Sequence, residues 1–443
     1  MLRGRTHAEI SGTKKHDALM NYAFLPDLSA LTILVVILFL LHRRHPHKQA
    51  DIWLLGLFFT LVEATAHTFY APGRIPEAAL HVIVLDCYAL AGLIFNWGAG
   101  EEGRSRRTQL LYVGLNAVPL LAVTTTYGLN IRVAGPYFPA IAAGLVIGVV
   151  SSAYLRRSWI YAVLYAAGWL AVGLLVHHGY IRHAVYWSIC CVYSIAALNF
   201  RKRLPRNSTG RLAILTGFTI WSLCFLLHPW IVMHRGYADL ASHVWNMQKS
   251  LISIGMILVM LEEQVRNNQW LALHDELTGL PNRRQFTERL AGAMERSRRE
   301  EGRLAVFLLD LNGFKEINDE NGHQAGDHVL REMSNNLREC SHFFDSVARL
   351  GGDEFTMVAC DLTPGRSVHF FEDMIQRAVE RPIVLDGRPI VMTASLGFAI
   401  YPDDAVDASR LLRIADQRMY RLKHRATRAR IEMEPGLVET PPA

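Results

Sequence analysis

Residues 346–359 read SVARLGGDEFTMVA. Two β-prone runs, 346–350 and 355–359, flank Gly351-Gly352-Asp353-Glu354, a pattern that predicts a β-hairpin with two adjacent carboxylates at its tip. The glycine pair permits positive φ and lets a ligand approach the backbone closely. Adjacent acids in a turn are common on solvated surfaces, so the hairpin acquires chemical meaning only from what else reaches it.

Upstream, 304–309 (LAVFLL) is a short apolar run bounded by charge, which reads as a buried central strand ending at Asp310. A carboxylate at the end of a central strand lies where sheets of the α/β class bind ligands. Leu311, Asn312, Gly313, Phe314, Lys315 and Asn318 follow, and Gly326-Asp327 opens a further helix. Before the strand, Gly279 and Pro281 break the chain and Asn282 caps a helix running to about Arg299. Strands alternating with helical segments predict an α/β sandwich. Two or three carboxylates gathered across neighbouring strands suit magnesium on nucleoside phosphates, because Mg2+ takes hard oxygen ligands and keeps phosphates in its shell.

The rest of the chain differs in character. Hydrophobic residues make up 51% of the 443 and charged residues 19%, a balance that points away from a wholly soluble chain. The imbalance sits in 24–262. A bilayer core needs roughly 20 apolar residues per helix, and nine candidate spans are centred on 24–41, 51–70, 77–97, 108–127, 134–153, 158–176, 184–200, 211–230 and 241–261. The runs are continuous rather than alternating, hence helical. Arg43, Arg44, Lys48, Arg104, Arg106, Arg107, Arg156, Arg157, Arg201, Lys202, Arg203 and Arg206 fall in one set of alternate loops, which predicts a cytoplasmic side shared with the C-terminal domain. Basic residues at 1–19 oppose that scheme, so a miscounted span and a start at Met20 both stay open. The net charge of +6 is read as topology signal, with no nucleic-acid partner expected. Cys87, Cys190, Cys191, Cys224, Cys340 and Cys360 show neither a CxxC pair nor zinc spacing.

Ionisable side chains inside spans are costly. Glu63 and His67 share one face of the second span, and His81 and Asp86 lie on the third at similar depth. His228, His234 and His243 fall near the outer side. One reading is a sensory site for an unknown ligand, metal, haem or proton; the other is hydrogen bonding that holds the bundle together. The last span continues without Pro or Gly toward Trp270, as a helical linker over 263–274. It reads either as a device transmitting rotation between protomers or as a tether.

Gly351 to Phe355 spells the motif of the GGDEF diguanylate cyclases, and the chain resembles that family from 272 to about 430. Asp275-x-Leu277-Thr278-Gly279-Leu280-Pro281-Asn282-Arg283, the 310–319 block, Gly322-His323, Gly326-Asp327, Ser395-Leu396-Gly397, Tyr401-Pro402, Ala415-Asp416, Tyr420 and Lys423 are similar to it in order. The resemblance implies a nucleotide-cyclase-like α+β sandwich that joins two GTP into cyclic di-GMP and pyrophosphate. It implies two Mg2+ (or Mn2+) ions per site on Asp310, the Leu311 carbonyl, Asp353 and Glu354, with Asp353 helping to deprotonate the attacking hydroxyl. Asn318 and Asp327 would read guanine; Lys315 and Lys423 would meet the triphosphate; Phe314, Gly351 and Gly352 would border the substrate. It also implies a homodimer, since each domain holds one GTP.

The expected organisation is therefore a tail over 1–23, a polytopic sensor over 24–262 in a bacterial inner membrane, a cyclase over 275–432 and a disordered tail over 433–443. Those last residues are too few for a separate phosphodiesterase domain. The alternative is a catalytically silent GTP-binding module coupled to a membrane sensor or transporter.

The chain departs from the family at three places. Thr427 stands where an Arg is usual, with Arg425 and Arg428 adjacent, and Asn312 replaces a frequent Asp. His342 replaces the Arg of the inhibitory RxxD, while Asp345 is kept. A neutral imidazole lacks the bidentate fork of a guanidinium, so product inhibition through this site is expected to be weak or absent. Calorimetry with cyclic di-GMP checks this, and submicromolar binding abolished by His342→Ala would overturn it.

Overall fold

The computed structural model describes residues 24–68, 77–98, 105–231, 238–385 and 387–433; the side chains of 106, 238–243, 343 and 425–433 are not described. The chain divides into two compact units, Met1–Gln264 and Val265–Ala443.

The first unit is helical: α1 Leu25–Arg44, α2 Ala50–Thr68, α3 Glu77–Gly98, α4 Arg106–Gly128, α5 Tyr137–Val150, α6 Trp159–His177, α7 Ile181–Arg203, α8 Thr209–Ile231 and α9 Ala238–Leu273. Among the described residues nine helices are long and apolar enough to cross a bilayer, in agreement with the nine runs read from the sequence. They show little amphipathic striping because both their packed and their outward faces are apolar, as in α1, where Leu31 and Leu38 are buried and Ile33, Phe39 and Leu40 are exposed. The interior is an aromatic column. Phe200 stacks on Phe218 with centroids 5.3 Å apart, Tyr193 meets Trp221 at 4.5 Å, and Tyr88 meets Phe225 edge-on at 5.0 Å. One buried polar network joins α3 and α7 to the segment that follows α5: Asn199 Nδ2 donates to Asn96 Oδ1 at 2.9 Å, and Arg156 Nη2 donates to Asn199 Oδ1 at 2.6 Å, whereas Trp53 Nε1, Tyr165 Oη and Trp221 Nε1 are buried without a hydrogen-bond partner. A single turn of π-helix, Ser151–Leu155, ends α5. α9 runs past Trp270 as one uninterrupted helix.

The second unit contains α10 Arg283–Arg299, β1 Leu304–Asn312, α11 Phe314–Asn321, α12 His323–Glu339, β2 Ser346–Gly351, β3 Glu354–Ala359, α13 Val368–Val379, β4 Ile383–Leu385, β5 Arg388–Ile390, β6 Thr393–Tyr401 and α14 Ala408–Met433. Four strands form a sheet in the order β2-β3-β1-β6, and β4 pairs with β5 apart from it. The central position of β1 and the β2–β3 hairpin match the sequence reading. One inference needs correction. Every pairing in the four-stranded sheet is antiparallel, so the unit is α+β, and the rule for carboxyl ends of parallel strands does not place Asp310. Its place comes from register, which sets Asp310 opposite Glu354 at the mouth of the hairpin.

β1 is apolar throughout because both its faces are covered. Ala305, Phe307, Leu309 and Leu311 face α12 and α13, against Val329, Met333, Phe371 and Ile375. Leu304, Val306 and Leu308 face α10 and α14, against Phe286, Leu290, Leu411, Ala415 and Met419. By the period of two along a strand, Asp310 belongs to the α10 and α14 side. Leu411, Ala415 and Met419 recur every fourth residue, and the next position on that stripe is Lys423. The apolar stripe that docks α14 thus delivers an ammonium to the end of β1. Leu411→Ala is expected to destabilise residues 265–443 by about 2–5 kcal/mol, read from urea unfolding followed by circular dichroism.

Candidate active site

The tip of the β2–β3 hairpin is built on backbone that other residues tolerate poorly. Gly351 and Gly352 have φ of 143° and 55°, and a Cβ at either would meet nothing within 4 Å. The requirement is therefore conformational, and the space above the tip is open. Arg349 clamps it from below: Nε and Nη2 donate to the Gly352 carbonyl at 2.9 and 2.7 Å, and Nη1 donates to Asp275 Oδ1 at 2.7 Å. Asp275 Oδ1 also accepts from Thr278 N at 2.9 Å and Thr278 Oγ1 at 2.7 Å. The turn after α9 and the hairpin are thereby one bonded unit, and Asn282, which accepts from Arg284 N and Gln285 N, caps α10 beside it.

Three carboxylates meet at this end of the sheet. Asp310 is 5% exposed. Lys423 Nζ donates to its Oδ2 at 2.8 Å and approaches Oδ1 at 2.7 Å, yet Oδ1, although buried, accepts no hydrogen bond. The backbone of Leu311 donates to the Asp353 carbonyl at 3.3 Å. Arg283 Nη2 stands 3.7 Å from Glu354 Oε2. Burial lifts the Asp353 carboxyl above its ordinary range, and the charge of Asp310 adds to the rise. Glu354 is likewise raised by burial; Arg283 opposes this, while Asp310 and Asp353 reinforce it. Burial would lower Lys423, but its bond to Asp310 and the charges of Asp310, Asp353 and Glu354 outweigh that and hold the ammonium above its usual value.

Such crowding of acids favours cations. Among the described residues no three His, Cys, Asp or Glu side chains are gathered tightly enough to hold a metal ion by themselves. The buried Asp310 carboxylate, now held by Lys423, and the raised carboxyls nonetheless fit a magnesium site that takes the rest of its ligands from phosphate and water.

Across the site, β1 turns through Gly313 into α11, which carries the exposed Lys315 and the half-buried Phe314 and Asn318. Gly326, in the first turn of α12, has Asn318 Oδ1 directly over it, where any side chain would collide. That close approach brings Asn318 beside Asp327, a pair that offers both donor and acceptor groups. Asp327 has only a distant ion pair, 3.9 Å to Arg331. The substituted Asn312 turns the other way, donating to Thr393 Oγ1 at 3.2 Å and accepting from Ser395 Oγ at 2.9 Å.

Residues 272–429 match the family model described as "Diguanylate cyclase, GGDEF domain". Residues 272–429 are a GGDEF domain. It is 38% identical over 170 residues to the cyclic di-GMP phosphodiesterase NbdA of Pseudomonas aeruginosa, covering 38% of this chain and 22% of that protein. It is 40% identical over 160 residues to the diguanylate cyclase TpbB of the same organism, covering 36% of this chain and 37% of TpbB. Among solved structures it resembles a sensory box/GGDEF family protein of Caulobacter crescentus, at 37% identity and a TM-score of 0.33, covering 34% of this chain and 99% of that one. The chain thus spans well under half the length of these two curated relatives.

Within the GGDEF domain, the structure gathers Asp310, Asp353, Glu354, Leu311, Gly351, Gly352 and Lys423 at one end of the sheet, and Phe314, Lys315, Asn318 and Asp327 on α11 and α12. His342 is exposed, and Asp345 accepts from Arg296 Nη2 at 3.1 Å and from the Cys360 amide at 3.0 Å. A guanidinium therefore does reach Asp345, from α10 rather than from position 342. The side chains of Arg425, Thr427 and Arg428 lie outside the described residues. Arg349, Arg283 and Arg296 were missed by sequence reasoning. Arg283 stood at the end of the family-like 275–283 motif without a role, and Arg349 left a signal as a charge in the middle of a strand of otherwise small and apolar residues.

Burial pushes Asp275 up, but the bonds from Thr278 and Arg349 prevail and hold its carboxyl below the ordinary value of 3.8. A carboxylate depressed on folding contributes stability that is fully present above the unfolded pKa and is lost as pH falls through the folded one. A double-mutant cycle of Arg349→Leu and Asp275→Asn should give a coupling of about 1–3 kcal/mol at pH 7, measured by urea unfolding. It should shrink toward zero below the ordinary carboxylate range.

Proposed function

We propose that the chain is a membrane-bound diguanylate cyclase, converting two GTP into cyclic di-GMP and two pyrophosphates under control of its N-terminal helices. The observation that carries this is the acidic hairpin tip. Asp353 and Glu354, on positive-φ glycines with open space above, stand beside the buried Asp310 at the end of β1. No member of the acidic set or of the glycine pair has been replaced.

In the proposed reaction each GGDEF domain of a homodimer holds one GTP. Asn318 and Asp327 bind the guanine edge, and Lys315 meets the triphosphate. Lys423, now on Asp310, exchanges part of that bond for phosphate oxygens. The 3′-hydroxyl oxygen of one GTP bonds to the α-phosphorus of the other, the bond to pyrophosphate breaks, and the hydroxyl proton passes toward Asp353. A second such step closes the ring. Asp310, the Leu311 carbonyl, Asp353 and Glu354 would hold magnesium or manganese, which supplies charge neutralisation at the phosphates. The raised Asp353 and Glu354 carboxyls make proton affinity at the tip sensitive to that charge. The rest of the rate comes from alignment of the two substrates.

The nine apolar helices and the loop distribution of Lys and Arg support a multi-pass protein with this domain in the cytoplasm, where GTP is found. The activity in the name of NbdA is not carried over, because the match spans 22% of that protein.

The test uses residues 262–443 fused to a dimerising coiled coil and incubated with GTP and Mg2+, the nucleotides being separated by chromatography. Cyclic di-GMP is expected from the wild type and a loss of at least about 100-fold from Asp353→Ala and Glu354→Ala. A folded, dimeric, GTP-binding domain that makes no product would instead establish the silent regulatory module.

A further inference from the structure

The helical unit contains a cavity of about 420 Å3, within the range of small-molecule sites. It lies among α1, α2, α3, α4, α7, α8 and α9 and the segment joining α4 to α5. Glu63, His67 and His81 line it, and Asp86 does not; that carboxylate accepts from Thr124 Oγ1 at 2.5 Å and Thr125 Oγ1 at 2.8 Å. His228 lines it as well. His234 and the side chain of His243 lie outside the described residues.

The cavity's acceptors are already engaged. Glu63 is fully buried, 2.5 Å from Lys249 Nζ and 2.6 Å from the Tyr88 hydroxyl, which donates to it, with His67 Nε2 at 3.3 Å. Asp27 accepts from Asn246 Nδ2 at 2.9 Å. Two polar groups in the same wall are not so satisfied. The Trp245 Nε1 donor is buried without a hydrogen-bond partner, as is His228 Nδ1, which donates or accepts according to the ring's tautomer. Arg132 and Arg182 converge on one tyrosine: Arg132 Cζ lies 3.7 Å from the centre of the Tyr127 ring, its Nη1 donates to the Tyr127 carbonyl at 2.6 Å, and Arg182 Nε donates to the Tyr127 hydroxyl at 3.2 Å. Neither guanidinium has a carboxylate partner among the described residues. Three permanent cations, Arg132, Arg182 and Lys249, face two carboxylates, Asp27 and Glu63. The remaining wall is apolar and includes Leu28, Leu31, Val84 and Leu85.

A surplus of positive charge and an unpartnered N–H in the wall of a largely apolar chamber select an acceptor-rich head on an apolar body. We propose that this cavity binds a small amphipathic carboxylate. Its carboxylate sits at Arg132, Arg182 and Trp245 Nε1, and its body lies against Leu31, Leu85 and the stacked pair of Tyr186 and His228, whose centroids are 3.9 Å apart. Trp245, Asn246 and Lys249 of the wall all belong to α9, the helix that runs on to Leu273. This deepens the reading of the helical unit as a sensor. It is independent of cyclase activity, because binding is read directly.

The probe is isotopically labelled 3-phenylpropionate, with 3-phenylpropanol as its uncharged counterpart. Each is dialysed to equilibrium against the full chain in lipid nanodiscs, with empty discs subtracted. Saturable binding of the carboxylate near one per chain is expected, and at least about tenfold weaker binding of the alcohol. Arg132→Gln with Arg182→Gln should weaken the carboxylate by a similar factor and leave the alcohol unchanged. Trp245→Phe keeps the ring and removes only the N–H, so it should weaken the carboxylate several-fold even if the arginine pair proves necessary for folding. No saturable binding, equal binding of acid and alcohol, or undiminished binding of the acid to folded Trp245→Phe would each overturn the proposal.

Discussion

In the GGDEF domain, the end of β1 places a carboxylate where the sheet closes over it, and Lys423 compensates the charge. Asp310 is buried by the same packing that makes 304–309 apolar, so its position is fixed by the core and not by a loop. A buried carboxylate needs a counter-charge or a proton. The stripe of α14 that fills the sheet's face carries its own counter-charge four residues beyond Met419. Hairpin, strand end and C-terminal helix are thereby tied to one electrostatic requirement, and each acid added at the tip raises the demand for positive charge.

The hairpin shows the complementary arrangement, a glycine turn held by bonds. Positive φ at Gly351 and Gly352 keeps the tip bent, and Arg349 holds the resulting carbonyl from beneath while reaching Asp275. A guanidinium suits this task because its fork meets two acceptors in one plane. The tip is consequently rigid below and open above, which is the geometry a large polyanionic substrate requires. Asn318 over Gly326 applies the same economy on α11 and α12, where the absence of a side chain lets a polar group stand beside Asp327.

In the helical unit the polar groups divide into two kinds. Asn96, Asn199 and Arg156 bond to one another and to backbone deep in the bundle, which is what an apolar surrounding demands of them. Around the cavity the Glu63–Lys249 pair is equally well satisfied, but Trp245 Nε1 and His228 Nδ1 are not. Satisfied networks hold helices together; unsatisfied donors facing a chamber are the feature that gives it chemical preference.

The number of apolar helices, the hairpin, the central strand and the capped α10 were all legible in the sequence, because each rests on local pattern: run length, period and turn chemistry. The candidate acids at 310, 353 and 354 were legible as well, since strand ends and glycine turns announce themselves. Strand direction was not, because parallel and antiparallel strands buried on both faces present the same apolar run, and only pairing register distinguishes them. Nor were the partners. Arg349 with Asp275, Lys423 with Asp310 and Lys249 with Glu63 are separated by 74, 113 and 186 residues. Sequence spacing records neighbours along one element, whereas a buried charge finds its partner wherever packing brings one. The sequence determined which groups are ionisable and on which element face they sit; the tertiary structure alone decided which of them must share a space and which polar groups, such as Trp245 Nε1 in the cavity wall, were left without a partner.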